Sequence, residues 1–233
     1  MTPRRIIEAA LNEGRSKLLE HESLELLRYY GIPTPKAILV SSAEEAARYA
    51  DEVGYPVVLK IVSPDIVHKT DIGGVKLNLV SREDVEKASI DMLRTVSIRA
   101  PSARIIGFLI QQMVPPGLEL IVGGIRDSVF GPIVMLGLGG LFVEILQDVV
   151  FRIAPLTFED ALEMIGELKF SKIISGYRGQ QPIRRERIAD ILVRTSRVLE
   201  DNEEIQTLDI NPVIAYSDSI IAVDARIIVR EKR

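Results

Sequence analysis

The chain contains no cysteine among its 233 residues. Disulfide bonds, thiolate metal sites and a cysteine nucleophile are therefore excluded together. Histidine is scarce, with two residues, so a zinc ion would have only these and carboxylates as ligands. Catalytic or metal-binding chemistry is thereby restricted to oxygen and nitrogen groups.

The sequence also lacks an excess of positive charge and a long apolar run. Lysine and arginine number 29 against 33 acidic residues, which gives a net charge of −4 and no basic field to attract nucleic acid. No segment reaches the roughly 18 apolar residues that a membrane span requires, and charged residues interrupt the first twenty positions. We expect a cytoplasmic protein that binds neither nucleic acid nor membrane.

What is present is the composition of an ordinary folded protein, with 47% apolar and 27% charged residues. At about 150 residues per domain, the length predicts one large domain or two small ones. The mixed order of elements indicates an α+β or α/β class.

Helices are predicted over Ile6–Tyr30 with a break near Gly14, from the Ser41–Glu44 capping box to Val53, from Ser81 onward, over Thr157–Leu168 and over Ile183–Leu199. Strands are predicted at Ala37–Val40, Val57–Val62, Val75–Val80, Ile105–Val114, Leu118–Gly123 and Ile133–Leu138, the last three antiparallel.

Two short strands close the chain around a turn at Tyr216–Ser219. Outward pairing from this four-residue loop sets Asn211 directly opposite Asp224. Period-two alternation places Asp209, Asn211 and Val213 on one face of the first strand. The other face carries Leu208, Ile210 and Ile214. The polar side chains are thus predicted to be segregated from most of their apolar neighbours.

The pair formed by Asn211 and Asp224 is a candidate metal site. Two oxygens across one rung suit a hard divalent cation whose remaining ligands are waters and phosphates, and Mg²⁺ is the natural candidate. The alternative is that Asn211 begins a strand-end turn and Asp224 is a solvated residue. Asp209 would lie opposite Arg226 in the same register, which is also typical of a surface ion pair.

One charge stands inside an apolar strand, because Lys60 shares its face with Val58 and Val62. A phosphate oxygen is a suitable partner for its compact ammonium group. An edge strand is the alternative, since lysine there blocks aggregation, and the residue alone favours this interpretation. Glu119 is a candidate acceptor for a ribose or an amine, or simply an exposed strand glutamate.

The loop Ser63–Gly74 contains His68, set between prolines and glycines that allow the loop to project or move. Neutral imidazole attacks phosphorus near neutral pH, and a carboxylate on its other nitrogen would fix the tautomer and stabilise the charged phospho form. Asp209 is a candidate for that carboxylate, with Asp65 and Asp71 as local alternatives. A surface histidine without a role is the competing interpretation.

A glycine-rich stretch, Gly137–Gly140, follows a strand and offers backbone N–H groups suited to phosphate. Its spacing matches neither G-x-G-x-x-G nor a P-loop, so a Rossmann or Walker site is not supported. Arg152 and the glycine-flanked Arg178 are candidates for phosphate contacts, although most loop arginines are solvated. His21 is assigned no role.

The whole chain resembles the nucleotide-binding β subunits of ADP-forming acetyl-CoA synthetases, also called NDP-forming acyl-CoA synthetases. The resemblance lies in the segments Leu24–Pro35, Tyr55–Lys60, Ser63–Lys76, Gly131–Glu144, Gly176–Gly179 and Leu208–Pro212. The last of these is also similar to its counterpart in succinyl-CoA synthetase β subunits. The implied fold class is α+β: an ATP-grasp fold, with two α+β lobes and a nucleotide cleft between them.

The resemblance implies an acid–thiol ligase of the acetate–CoA ligase (ADP-forming) type. Acyl-CoA, phosphate and ADP become acid, CoA and ATP, and phosphoryl passes to ADP through phosphohistidine. One such histidine is implied on a partner subunit and a second on a swinging loop of this chain, which His68 matches. The implied nucleotide-binding residues are Lys60, Gln111, Gln112, Met113, Val114, Glu119, Arg152 and Arg178. The implied Mg²⁺ ligands are Asn211 and Asp224, and Asp209 would steady phosphorylated His68.

The same resemblance implies a domain organisation and a partner. Residues 1–21 would form an N-terminal helical extension, residues 22–113 the lobe with the His68 loop, and residues 114–233 the lobe with the Mg²⁺ and phosphate site. No CoA-binding half is recognised in the sequence, so we expect a separate α subunit and an α2β2 heterotetramer. Two alternatives stay open: an ATP-grasp carboxylate–amine ligase, and a non-catalytic nucleotide-sensing module.

Overall fold

The computed structural model describes residues 1–66, 68–140, 148–176 and 181–231. Its helices are α1 Pro3–Asn12, α2 Glu20–Tyr29, α3 Ala43–Val53, α4 Arg82–Arg99, α5 Phe158–Glu167, α6 Ser171–Ile174 and α7 Arg185–Asp201. Its strands are β1 Ala37–Val40, β2 Val57–Val62, β3 Val75–Leu79, β4 Gly107–Gln112, β5 Leu118–Asp127, β6 Gly131–Leu138, β7 Val149–Ile153, β8 Ile205–Ala215, β9 Ile220–Ala222 and β10 Ala225–Val229. Within these described ranges, no helix has both the length and the apolar character needed to cross a membrane.

The chain divides into two compact units, and both combine helices with an antiparallel sheet. The smaller unit comprises Leu19–His21 and Pro35–Pro115. The larger unit comprises Met1–Leu18, Glu22–Thr34 and Pro116–Arg233, as far as these ranges are described. The predicted α+β class is confirmed.

The smaller unit contains a four-stranded sheet in the order β1-β4-β2-β3. Helices α3 and α4 pack against each other and against this sheet. The core between them is apolar, with Leu59, Ile61, Phe108 and Ile110 all at most 1% exposed. Strand β2 is buried at every position and lies inside the sheet, between β4 and β3. The edge-strand interpretation of its lysine is therefore wrong.

The larger unit contains a six-stranded sheet in the order β10-β8-β5-β6-β7, with β9 also paired to β8. Helix α7 packs against β5 and β6, and α5 packs against β7. Side chains on the opposite face lack this cover: Ile125, Phe151 and Ile153 are 46%, 51% and 53% exposed. The six-stranded sheet thus has one face that packs on helices and one open face.

Local sequence rules set several helix starts. Ser81 and Thr157 each accept a hydrogen bond at 3.1 Å from the N–H group three residues later, as predicted. Helix α3 begins one residue later than predicted, because Ser42 accepts from the N–H of Glu45 at 3.1 Å. Both Ser41 and Ser42 have a glutamate three residues on, so spacing alone could not distinguish them.

Helix α2 explains why Glu22–Thr34 groups with the larger unit. Asn202 donates its side-chain N–H to the Tyr30 hydroxyl at 2.8 Å, and Arg194 donates to the Tyr30 carbonyl at 2.9 Å. Residues 22–34 were predicted to belong with residues 35–113, but these contacts tie them to the larger unit. The other predicted boundary, after residue 113, lies two residues from the division at Pro115. The lobe boundaries themselves stay a prediction.

Candidate functional site

The closing hairpin has the predicted register. Ala215 pairs with Ile220 and Val213 pairs with Ala222. The N–H of Asn211 donates to the carbonyl oxygen of Asp224 at 3.1 Å, in continuous register with these pairs. Directly opposed residues project from the same face, so this register is the one that makes the Asn211 and Asp224 side chains neighbours. The predicted cross-strand arrangement of the two oxygen-bearing residues is confirmed, while their role as metal ligands stays a prediction.

The predicted faces of β8 are wrong beyond residue 211. Strand β5 pairs Val122 with Ile210 but Leu120 with Val213, so two residues of β8 oppose Ile121 alone. This bulge reverses the alternation of side chains. Val213 consequently pairs with fully buried Leu120, on the face opposite to Asp209. Ile214 consequently pairs with Glu119 instead of sharing a face with Ile210.

Asp209 lies on the open face of the six-stranded sheet. It pairs with Arg226 on one side and Gly123 on the other, and Met135 and Phe151 continue the same row. Since Gly123 has no side chain, the row has a depression next to Asp209. A cavity of about 320 Å³ opens there, lined by Ile121, Gly123, Ile133, Met135, Asp209 and Asn211 among others. Burial raises the pKa of the Asp209 carboxyl, and the positive charge of Arg226 opposes that shift.

Glu119 joins this open face near the end of β6. It lies on the same side of β5 as Gly123, four residues away. The N–H of Gly139 donates to its carbonyl oxygen at 2.7 Å, so one N–H of the glycine-rich stretch is already engaged. A methyl group at Gly140 would lie 3.0 Å from the Glu119 carboxylate, and this residue has a φ of 68°. Glycine at 140 therefore serves both the turn and the close approach of Glu119.

The two predicted arginines are not brought to this face. Arg152 pairs with buried Val134 on the helix-covered side of the sheet, where it forms an ion pair with Glu167 of α5. Arg152 therefore does not share the face that carries Asp209. Arg178, together with the predicted segment around Glu144, lies outside the described residues.

In the smaller unit, Lys60 has a carboxylate partner that the sequence analysis missed. Lys60 is 6% exposed, and its ammonium group donates to Oε1 of Glu20, the first residue of α2. The other carboxylate oxygen of Glu20 accepts from Lys69, in the loop that contains His68. The available signal was the rule that a buried ammonium requires a counter-charge, but sequence alone does not say which of many carboxylates supplies it.

The loop around His68 is held on both sides, and His68 itself is exposed. Asp65 accepts the N–H of Arg104 at 2.6 Å, and the carbonyl oxygen of Asp71 accepts from Arg99 at 2.8 Å. The Asp65 carboxylate therefore has a partner other than His68, whereas Asp71 is held through its main chain. His68 is exposed, as expected for a projecting loop, but hydrogen bonds at Asp65 and Asp71 hold the base of the loop.

The predicted adenine-side segment Gln111–Val114 follows directly from β4. Gln111 is buried, whereas Gln112 is exposed. The N–H of Gln112 donates to the Lys36 carbonyl at 2.9 Å, and that of Met113 donates to the Pro56 carbonyl at 3.1 Å. Two N–H groups of this segment are thus engaged within the smaller unit. Its predicted contact with nucleotide stays a prediction.

The cross-strand pair suits a hard cation. Asn211 and Asp224 supply amide and carboxylate oxygens, which Mg²⁺ prefers. Among the residues that the structure describes, no group of three or more histidine, aspartate or glutamate side chains is placed to hold a metal ion. A cation between Asn211 and Asp224 would complete its coordination with water and phosphate oxygens, as Mg²⁺ usually does at nucleotides.

Comparison with known proteins shows the family of the chain. Residues 9–229 match the model of the ATP-grasp domain family. The β subunit of acetate–CoA ligase [ADP-forming] I from Pyrococcus furiosus is 50% identical over 225 residues, which cover 97% of each chain. The chain belongs to the β subunits of the ADP-forming acetate–CoA ligases. As a member it has the ATP-grasp fold, and the predicted family is confirmed.

Solved structures of this family have the same fold. Acetyl-coenzyme A synthetase 1 of Candidatus Korarchaeum cryptofilum, in complex with coenzyme A and Ca-AMPCP, superposes with a TM-score of 0.95 at 51% identity, covering 97% of this chain and 99% of that one. A complex of the same synthetase with Mg-AMPPCP has its phosphohistidine segment pointing towards the nucleotide site, with a TM-score of 0.88, 48% identity and coverage of 98% and 100%. Nucleotide binding is thus a property of the ATP-grasp β subunits to which this chain belongs.

Proposed function

We propose that the chain binds ADP and Mg²⁺ and, with a CoA-binding α subunit, converts acyl-CoA, phosphate and ADP into acid, CoA and ATP. The observation that carries the proposal is the hairpin register that sets Asn211 opposite Asp224, next to a 320 Å³ cavity that Asp209 and Asn211 line. The family relationship supports it, since the relative from Pyrococcus furiosus is named as the β subunit of such a ligase.

His68 carries the phosphoryl group in this proposal. A neutral imidazole nitrogen forms a bond to phosphorus as the P–O bond of the acyl phosphate, or the P–N bond of the partner's phosphohistidine, breaks. The displaced carboxylate or imidazole leaves with the bonding electron pair. A terminal phosphate oxygen of ADP then attacks the same phosphorus, the P–N bond breaks, and neutral imidazole and ATP result.

The other candidate site residues are proposed to neutralise or position the charged groups of the reaction. Phosphoryl transfer depends mainly on positioning and on reducing repulsion between anions. Lys60 would neutralise nucleotide phosphates, and Asp209 would hold the other imidazole nitrogen of phosphorylated His68. Asn211 and Asp224 would hold Mg²⁺, which, when bound, offsets the negative charge of the phosphates.

The proposal extends to assembly and location. We propose an α2β2 heterotetramer, because the matched relative is itself a β subunit and the reaction requires a CoA site. A cytoplasmic location is part of the same proposal and follows the expectation from composition. Glu119 and the segment Gln111–Val114 would contact the ribose and adenine of the nucleotide.

Labelled ATP tests the function directly. The assembled enzyme is incubated with Mg²⁺ and ATP labelled at the γ-phosphate, the subunits are separated, and peptides of this chain are mapped. An acid-labile, base-stable label on His68 supports the relay. Nucleotide binding with no label on this chain, and no CoA-dependent exchange, would instead favour a carboxylate–amine ligase or a nucleotide sensor.

A further inference from the structure

Glu20 connects Lys60, a candidate phosphate ligand, with Lys69, the residue that follows His68. It is the first residue of α2, and its side chain is 3% exposed. One carboxylate oxygen accepts from Lys60 on the buried strand β2. The other accepts from Lys69, the residue that follows His68. A single buried carboxylate therefore links the central strand of the smaller unit to the His68 loop.

The electrostatics of this cluster favour charged groups. Burial disfavours ionisation of Glu20, but the two ammonium groups outweigh it and hold the pKa of the carboxyl below its ordinary value. Lys60 is also buried, and removal of a carboxylate partner from a buried ammonium favours loss of its proton.

The backbone next to His68 is fixed at the same point. The N–H of Gly74 donates to the carbonyl oxygen of Lys69 at 2.7 Å. A methyl group at Gly74 would lie 2.6 Å from Ile61 and 3.0 Å from that carbonyl, so the loop closes tightly on β2. With its backbone bound to Gly74 and its side chain bound to Glu20, Lys69 limits the positions that the neighbouring His68 can reach.

We propose that Glu20 is a positioning residue for phosphoryl transfer, which keeps Lys60 charged for a nucleotide phosphate and holds the base of the His68 loop through Lys69. This inference rests on the proposed function of His68 and Lys60. Glu20 touches no substrate in this scheme and acts only through the two lysines.

A second ion pair in the same helix provides a matched control. Glu22 binds Arg15 through both carboxylate oxygens, at 2.7 and 2.8 Å, and its side chain is 17% exposed. This two-pronged ion pair joins α2 to the segment before it and involves an arginine to which no role in phosphoryl transfer is assigned. Glu22→Gln should therefore lower stability without altering the chemistry, whereas Glu20→Gln should alter both.

The experiment compares Glu20→Gln with Glu22→Gln in the assembled enzyme. The readouts are melting temperature, the rate of His68 labelling from γ-labelled ATP, and turnover as a function of pH. Because Glu20→Gln removes a negative charge from beside the buried Lys60 ammonium, we expect the alkaline limb of the turnover profile to move toward lower pH. His68 labelling should fall by about tenfold or more. Glu22→Gln should leave the His68 labelling rate and the pH profile of turnover at the wild-type level.

Lys69→Gln separates the two roles of Glu20. It removes the tether but leaves Lys60 paired, so labelling of His68 should fall while the alkaline limb stays in place. An unshifted limb and wild-type labelling in Glu20→Gln, with His68 labelled normally in the wild type, would overturn the inference and leave the proposed function intact. A wild-type enzyme with no label on His68 would overturn both.

Discussion

The N–H of Asn211 donates to the carbonyl oxygen of Asp224 at 3.1 Å, and this hydrogen bond aligns the two side chains at the end of the closing hairpin. Asn211 is exposed and Asp224 is half-buried. The amide and the carboxylate thus occupy one rung at the border of the open sheet face. A cation held by such a pair would depend on both side chains at once.

Replacement of Asp224 tests the metal assignment. Asp224→Asn keeps the size of the side chain but removes its charge, so we expect the Mg²⁺ concentration for half-maximal turnover to rise about tenfold, equivalent to about 1.4 kcal/mol. Titration of turnover with Mg²⁺ measures this. Asp218→Asn is the control, because Asp218 lies in the same hairpin but is exposed and pairs with Arg184. Unchanged Mg²⁺ dependence in Asp224→Asn would show that the pair is not a ligand set.

Replacement of His68 tests the carrier. His68→Ala should abolish labelling of this chain and turnover, while the affinity for ADP changes by less than about twofold, because the histidine is exposed and is not proposed to contact nucleotide. Calorimetric titration with ADP and Mg²⁺ checks the second part. Lys60→Ala is the comparison, and its ADP affinity should fall about tenfold or more. A similar loss of affinity in both variants would contradict the carrier role.

The raised pKa of Asp209 has a consequence for stability. The folded protein holds the carboxyl proton at pH values where the unfolded chain, with a pKa of about 3.9, has already lost it. Folding stability therefore falls as pH rises through the folded-state pKa, and below the unfolded value this effect vanishes. Asp209→Asn should raise the melting temperature at neutral pH, with a gain that shrinks as the pH is lowered toward 4. Melting curves across this range check the prediction, and a gain independent of pH would refute the burial argument.

Two glycines of the larger unit should respond in opposite ways to alanine. A methyl group at Gly124 would meet Leu199 of α7 and lie 2.5 Å from the carbonyl oxygen of Ile133, so Gly124→Ala should destabilise the protein by about 1–3 kcal/mol. Gly166 lies in α5 with no heavy atom near the added methyl, so Gly166→Ala should stabilise it by about 0.5–1 kcal/mol. Denaturant unfolding measures both, and equal effects would contradict the packing of α7 on β5.

Many elements were predictable because their signals are local. The strand at Ala37–Val40, the strand at Val57–Val62 and the caps at Ser81 and Thr157 follow from short patterns of apolar and polar residues. The predicted pairing of Asp209 with Arg226 in the closing hairpin is confirmed, although the structure divides the returning strand into β9 and β10. Strand β7 was not predicted, and its place at the sheet edge is decided by its pairing with β6.

The site was predictable in part. The hairpin register followed from loop length, so the alignment of Asn211 with Asp224 could be foreseen. The bulge opposite Ile121 could not be predicted, because it arises where the other edge of β8 pairs with β5. Arg152 was misplaced for a similar reason, since its side of the sheet depends on the register between β6 and β7.

The sequence by itself determined the family, the aspartate and asparagine that face each other in the hairpin, and the exposed histidine in its loop, because each depends on residues close together in the chain. Only the tertiary structure decided that Glu20 would hold Lys60, forty residues away, and Lys69, forty-nine residues away. A buried carboxylate finds its counter-charges through the packing of a helix start against a strand and a loop. That packing is a property of the folded chain, since many glutamates in the sequence have equivalent local surroundings.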